Sequence, residues 1–149
     1  MTVIATDGRT MAGDGQTVCG WTITDTDAVK VHRIAGCLVG TTGNSSSGAL
    51  FRAWFGKTHG IDHTNVDVPK IDGTFSALVL RPTGELEWYD ETCSRCPCSA
   101  PQAIGSGQDF ALAAMDLGRS PLEAVEVACK RSMGCGGKIT SLSIDGDVS

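Results

Sequence analysis

Short runs in which apolar and polar residues alternate, separated by turn residues, dominate the pattern along this chain. Residues 2–6 have the alternation and β-branched side chains of a strand, Asp7-Gly8 is typical of a two-residue hairpin turn, and residues 9–13 form the predicted return strand. Comparable runs predict further strands at residues 28–34, 37–42, 75–80, 85–89 and 139–144. The pattern therefore predicts a fold built largely from antiparallel hairpins.

Three segments instead have the periodicity or the start signals of helices, at residues 49–55, 106–117 and 120–133. In the first, Leu50, Ala53 and Trp54 fall at helical spacing and are expected to share one buried face. In the other two, a serine is followed three residues later by Asp109 or Glu123, which is typical of a capping box. Three stretches lack such patterns and are expected to be largely irregular, at residues 14–27, 57–73 and 90–103.

The order of these elements decides the expected fold class. Two hairpins, a helix, a third hairpin, two helices and a strand come in blocks rather than in strict alternation. Such an order favours an α+β fold, in which antiparallel sheets carry helices on their outer faces. The length of 149 residues suits one domain over residues 1–149.

Composition and charge narrow the classes of function. Lys and Arg number 12 against 17 Asp and Glu, and the net charge is −5 with no basic run or stripe. We therefore expect neither a nucleic-acid partner nor an acidic membrane surface. No apolar run approaches the ~20 residues that span a bilayer, and the first residues lack the basic and apolar regions of a secretory signal. These features predict a cytoplasmic protein, in which the seven cysteines are expected to be free thiols.

Thr2 is a candidate nucleophile because of its place in the chain. A threonine hydroxyl needs an adjacent base, and the α-amino group of a terminal threonine, with a pKa near ~8, is one such base. Thr2 follows Met1, and a small second residue permits removal of an initiator methionine. One processing step would then create nucleophile and base together. A two-residue turn would pair Thr6 with Arg9 and bring Thr2 opposite Gly13.

Two charged residues are candidates to assist Thr2, although each on its own is more simply read as structural. Asp14 would lie just beyond Gly13, beside the chain terminus, but Gly13-Asp14-Gly15 is also typical of a turn. Lys30 lies in a predicted strand, where an ammonium paired with a carboxylate would orient a nearby hydroxyl and lower its pKa. A solvated strand lysine is the alternative interpretation.

Several motifs, taken in order along the chain, resemble those of proteasome β-type subunits and bacterial HslV-type peptidases. They are Thr2-Val3-Ile4-Ala5, Met11-Ala12-Gly13-Asp14-Gly15-Gln16, Val29-Lys30-Val31-His32-Arg33-Ile34, Val39-Gly40-Thr41-Thr42-Gly43 and Ala103-Ile104-Gly105-Ser106-Gly107. The set also resembles short proteasome-like proteins of phages and bacteria. The resemblance implies a shortened four-layer αββα sandwich, the fold of N-terminal-nucleophile hydrolases.

The resemblance also implies a function, a threonine-type endopeptidase that needs no cofactor. Thr2 would be the nucleophile and, through its freed amine, the base, and Asp14 and Lys30 would be the charge pair that tunes it. The backbone N–H of Gly40 would stabilise the oxyanion, and Ser106 would hydrogen-bond near the Thr2 amine. The implied partners are a peptide or unfolded-protein substrate, further copies of the chain in a homo-oligomeric ring, and by analogy an ATP-driven unfoldase.

Departures from the family pattern keep a second hypothesis open, a catalytically inactive structural or assembly protein of the same fold, which could be phage-related. The first hairpin is shorter than is usual in the family. Ser132 and Cys135 stand where the family often has an aspartate and a serine, so an expected supporting carboxylate is absent.

A cysteine cluster motivates a third hypothesis, a metal- or redox-responsive module. Cys93, Cys96 and Cys98 have a spacing that suits Zn²⁺ or an iron–sulfur centre, a reversible disulfide, or ordinary loop thiols. No second pair at metal-finger spacing follows. His59 and His63 lie four residues apart in a predicted loop and are interpreted as surface residues rather than ligands.

Overall fold

A computed structural model describes residues 2–60 and 67–146 of the chain. Two antiparallel sheets stack face to face, and helices cover both outer faces, so the layers run helix, sheet, sheet, helix. The strands are β1 (Val3–Thr6), β2 (Thr10–Gly13), β3 (Thr17–Cys19), β4 (Thr22–Asp25), β5 (Val31–Ile34), β6 (Cys37–Thr42), β7 (Ser76–Leu80), β8 (Leu86–Asp90), β9 (Arg95–Cys98), β10 (Gln102–Gly105) and β11 (Thr140–Ser143). The helices are α1 (Ser45–Thr58), α2 (Gln108–Asp116) and α3 (Pro121–Arg131). The predicted α+β sandwich is thereby confirmed.

Alternation along the strands produces three apolar layers between these elements. The first sheet has the order β10-β1-β2-β11, and the second has the order β5-β6-β7-β8-β9. Val3 and Ala5 of β1 face α2 and α3 through a layer rich in alanine, which allows close packing of helices on the sheet. Ile4 points the other way and packs between the two sheets. Phe51 and Phe55 of α1 cover the outer face of the second sheet.

The first hairpin has a different register from the predicted one. The Asp7 carboxylate accepts hydrogen bonds from the backbone N–H groups of Arg9 and Thr10, at 2.9 Å each, which widens the connection beyond two residues. Thr6 therefore pairs with Met11 rather than with Arg9, and Ile4 pairs with Gly13. The predicted pairing of Thr2 with Gly13 is wrong by two residues. Because the shift is even, every side chain keeps its face.

Part of the stretch expected to be irregular is strand. Strand β9 adds to the edge of the second sheet, where Pro97 is tolerated because an edge strand leaves one side of its backbone unpaired. Strand β10 then crosses to the first sheet and pairs with β1. This crossing carries the chain to Ser106 and Gly107, directly beside Thr2. The prediction of an irregular segment over 90–103 was wrong for β9 and for the first two residues of β10, and the stretch 14–27 likewise contains the short strands β3 and β4.

Helix α1 begins earlier than its predicted start at residue 49. Helix α1 starts at Ser45, because the Asn44 side chain accepts a hydrogen bond from the Ser47 N–H at 2.9 Å. Leu50 and Ala53 are exposed and only Trp54 of the expected trio is buried, so the buried face was wrongly placed.

The two predicted capping boxes have opposite outcomes. Helix α2 has Gly107 as its N-cap and no side-chain cap, so the capping box at Ser106 was wrong. The capping box of Ser120 and Glu123 at α3 is confirmed. Within the described residues, none of these helices is long and apolar enough to cross a membrane.

Candidate active site

Thr2 lies just before β1, where the two sheets meet, and is 4% exposed. Its backbone carbonyl accepts hydrogen bonds from the Gly107 N–H at 3.3 Å and from the Ser106 hydroxyl at 3.4 Å. Its Oγ1 accepts a hydrogen bond from Lys30 Nζ at 3.2 Å. Thr2 is therefore held through its backbone, while its hydroxyl faces an ammonium group.

Lys30 is anchored by acceptors from three directions. Its Nζ donates to Asp14 Oδ1 at 2.9 Å, to the carbonyl of Gln16 at 2.6 Å and to Thr2 Oγ1. Since an ammonium is only a donor, the Thr2 hydroxyl acts as the acceptor and keeps its own proton for transfer elsewhere. The positive charge also favours negative charge developing on Oγ1.

Asp14 is fully buried, and its carboxylate is satisfied by hydrogen bonds from both sides. Oδ1 accepts from the Val3 N–H at 3.2 Å as well as from Lys30, and Oδ2 accepts from the Gly136 N–H at 3.1 Å. A buried charge is tolerated when it is paired and hydrogen-bonded in this way. Asp14 thus ties β1, Lys30 and the loop after α3 to one point.

The loop after α3 contributes through its backbone rather than through a carboxylate. Cys135 is buried and its Sγ lies 3.7 Å from the Ser106 hydroxyl oxygen, while the neighbouring Gly136 supplies an N–H to Asp14. Ser132 ends α3, and its N–H donates to the Ala128 carbonyl. Backbone donors such as Gly107 and Gly136 leave no side-chain signal, which is why the sequence did not identify them.

Gly40 does not join the other four predicted site residues. It lies in the middle of β6, paired with Val31 on one side and with Leu78 on the other. The Thr41 N–H donates to the Lys30 carbonyl at 3.3 Å, toward β5. Because N–H groups alternate along a strand, the Gly40 N–H points toward β7 and belongs to the sheet ladder.

The structure gives Gly40 a packing role instead. A Cβ at this position would lie 2.5 Å from Ile4 Cγ2 and 3.1 Å from Met11 Sδ, where the two sheets pack together. We expect Gly40→Ala to lower the free energy of unfolding by about 1–3 kcal/mol through overpacking. Urea denaturation followed by circular dichroism would measure this, and an unchanged midpoint would contradict the packing role.

A cavity of about 330 Å³ opens beside Thr2 and is called the Thr2 cavity below. Its lining includes Thr2, Lys30, Thr41, Gly43, Ser45 and Arg52. It lies between the start of α1 and the segment that carries Lys30, with the β3–β4 hairpin at its rim. Gly43, directly after the end of β6, has φ +108°, which favours glycine. In the sequence, Gly43 could have been recognised as the glycine directly before Asn44, the N-cap residue of α1.

The cysteine cluster is divided between different surroundings. Cys93 is buried under α1, Cys98 packs between the sheets, and Cys96 is exposed. Burial and the nearby Asp90 carboxylate raise the pKa of Cys93 to about 11, so its thiol is protonated near neutral pH. Among residues 2–60 and 67–146, no group of three or more His, Cys, Asp or Glu side chains is placed to hold a metal ion. His63 lies outside the described residues.

Comparisons with known proteins support the fold. No protein-family model matches this sequence, and no curated protein matches it. Two solved structures of Thiobacillus denitrificans BPH are similar, each with 20% sequence identity. The structure of BPH in complex with epoxomicin has a TM-score of 0.69 and covers 95% of this chain and 97% of that one. The other has a TM-score of 0.68 and covers 99% and 100%. The likeness shows that this chain has a proteasome-like fold.

Proposed function

We propose that this protein is a threonine-type peptidase whose nucleophile is Thr2, exposed at the chain terminus by removal of Met1. The observation that carries the proposal is the hydrogen bond of 3.2 Å from Lys30 Nζ to Thr2 Oγ1, with Lys30 ion-paired to the buried Asp14. A lysine that was only solvated on a strand, or an aspartate that only stabilised a turn, would not be expected to make these contacts. The similarity to BPH, which was solved with epoxomicin, agrees with the proposal.

In the proposed reaction, the freed α-amino group of Thr2 takes the hydroxyl proton while Oγ1 attacks the carbonyl carbon of a peptide bond. The tetrahedral intermediate collapses when the C–N bond breaks, and the leaving amine receives the proton from the α-ammonium group. The acyl part remains as an ester on Oγ1. A water molecule, deprotonated by the same amine, then hydrolyses the ester, releases the carboxylic acid and restores Thr2.

The surrounding residues have distinct proposed roles. Asp14 fixes Lys30, and Lys30 stabilises the charge on Oγ1. Ser106 holds the Thr2 carbonyl and thereby positions its amino group. For the oxyanion, we propose the N–H of Gly43, which lines the Thr2 cavity, in place of that of Gly40.

Enclosure of the site is part of the proposal, because a peptidase in the cytoplasm must not cleave folded proteins. We propose a homo-oligomeric ring or a related closed assembly, as in the proteasome-like family that the motifs resemble. An ATP-driven unfoldase partner is proposed by that analogy alone. Size-exclusion chromatography with light scattering would test the assembly.

The proposed function is tested by intact-mass spectrometry of the purified protein before and after incubation with epoxomicin. We expect a mass without Met1 and one covalent adduct, located on Thr2 by peptide mapping. Thr2→Ala should remove the adduct completely, because the proposed chemistry needs a hydroxyl and a free α-amino group on the same residue. Retention of Met1 together with no adduct would refute the proposal.

A catalytically inactive protein of the same fold is the second candidate. It is favoured by the loop after α3, where Ser132 and Cys135 replace the expected aspartate and serine and where Asp14 is met by a backbone N–H. This candidate predicts the negative result of the mass experiment in a protein that unfolds cooperatively.

A further inference from the structure

Arg52 reaches from α1 toward the Thr2 cavity. Its Nη1 lies 3.5 Å from Thr41 Oγ1, a long contact for a hydrogen bond, and its side chain lines the cavity together with Thr2. Gly48 leaves the space that the guanidinium occupies, since a Cβ there would lie 3.0 Å from Arg52 Nη1 and 2.9 Å from Thr41 Oγ1. The absence of a side chain at Gly48 therefore leaves room for the Arg52 guanidinium against its own helix.

The charge of Arg52 is not balanced by a carboxylate in the described part of the chain. The ion pairs found within residues 2–60 and 67–146 do not include it, whereas Arg81 and Arg95 both pair with Glu87. Burial lowers the pKa of the Arg52 guanidinium, which reflects the cost of removing this cation from water. A bound carboxylate would offset that cost.

The residues that line the cavity favour an anionic occupant. Among the described residues, the lining includes the two cations Lys30 and Arg52 but neither aspartate nor glutamate. Asp14 is fully buried behind Lys30 and neutralises that residue, so the charge of Arg52 is left to attract a ligand. A large apolar side chain would cover the guanidinium without giving it an acceptor, which is unfavourable.

We propose that Arg52 makes the Thr2 cavity selective for an acidic side chain, so that the enzyme cleaves peptide bonds on the carboxyl side of glutamate or aspartate. This inference rests on the proposed function. The residue whose carbonyl is attacked stays bonded to Oγ1 as an ester, so its side chain must occupy space beside Thr2. A carboxylate there receives two N–H bonds from the guanidinium fork, an arrangement that lysine does not offer.

The test compares fluorogenic peptides that differ only in the residue before the cleaved bond, with glutamate, glutamine, leucine or lysine there. We expect kcat/KM for glutamate to exceed that for glutamine by about 10- to 100-fold, the usual range for a charge-assisted hydrogen bond. The ratio should fall as salt is raised. Arg52→Gln should remove the preference, and Arg52→Glu should favour lysine.

Lys57→Gln is the matched control, because Lys57 is an exposed cation on the same helix. It removes one positive charge and should leave the glutamate preference unchanged. If Arg52→Gln keeps the preference, or if wild type cleaves after leucine or glutamine as fast as after glutamate, the inference is overturned.

A binding measurement separates failure of this inference from failure of the proposed function. Acetylated peptide amides ending in glutamate or glutamine are titrated into the intact protein by calorimetry or NMR, a readout that requires no turnover. Tighter binding of the glutamate peptide, lost in Arg52→Gln, would support the acidic site even in a protein that epoxomicin does not label. Equal binding of the two peptides would overturn the acidic site, whatever the labelling result.

Discussion

Asp14→Asn is expected to lower the free energy of unfolding by about 3–5 kcal/mol, the cost of leaving a buried charge without its partner. The Lys30 side chain is only 11% exposed and would lose its counter-charge. The asparagine amide would in addition turn an N–H₂ group toward a backbone donor, because both carboxylate oxygens accept N–H bonds. Urea denaturation would measure the loss, and epoxomicin labelling of Thr2 should slow in parallel.

The same substitution at an exposed ion pair provides the control. Asp145 pairs with Arg9, and their side chains are 57% and 71% exposed. Asp145→Asn should cost less than about 1 kcal/mol, since solvent already screens the pair. Equal costs for Asp14→Asn and Asp145→Asn would mean that Asp14 does not act as a buried counter-ion.

Gly105→Ala is expected to displace Thr2 and to slow its labelling by about 100-fold, the usual effect of moving a reacting group by about 1 Å. A Cβ at Gly105 would lie 2.7 Å from the carbonyl carbon of Thr2 and closer still to the carbonyl oxygen. These are backbone atoms, so no side-chain rotation relieves the contact. The rate of inactivation by epoxomicin is the measurement.

A control must separate the effect of backbone strain from the effect of the contact with the Thr2 backbone. Gly84 has φ +91°, close to the +100° of Gly105, but a Cβ there would meet nothing within 4 Å. Gly84→Ala should therefore cost about 1–2 kcal/mol of stability and leave labelling unchanged. If Gly84→Ala and Gly105→Ala behave alike, strain and not displacement of Thr2 explains both.

The local pattern predicted most strands of the sandwich, but not the contacts that fix their pairing. The sequence pattern predicted β1, β2, β6, β7 and β8, whose residues are mostly buried and contribute to the core layers. The register of the first hairpin depends on the Asp7 side chain, which competes with the turn expected from Asp7-Gly8. Strand β9 carries Pro97 and exposed residues, so its pairing comes from the neighbouring β8 rather than from propensity.

The side chains of the candidate site were predictable from sequence motifs, whereas the contributions of its backbone groups were not. Thr2, Asp14, Lys30 and Ser106 lie together, although the hairpin argument that first linked Thr2 to Asp14 had the wrong register. Gly40 was selected by the family resemblance, and only the pairing of β6 with its neighbours shows that the Gly40 N–H points toward β7. That direction is a property of sheet pairing across long sequence distances.

The hydrogen bonds that hold Thr2 have a consequence for the proposed removal of the residue before it. Each contact described for Thr2 comes from a residue later in the chain: Lys30, Ser106 and Gly107. Trimming whatever precedes this residue would therefore change the chemistry of one nitrogen atom without any refolding. If Thr2 is exposed as proposed, the chain before and after trimming would share one scaffold, and the change between the two forms would be purely chemical.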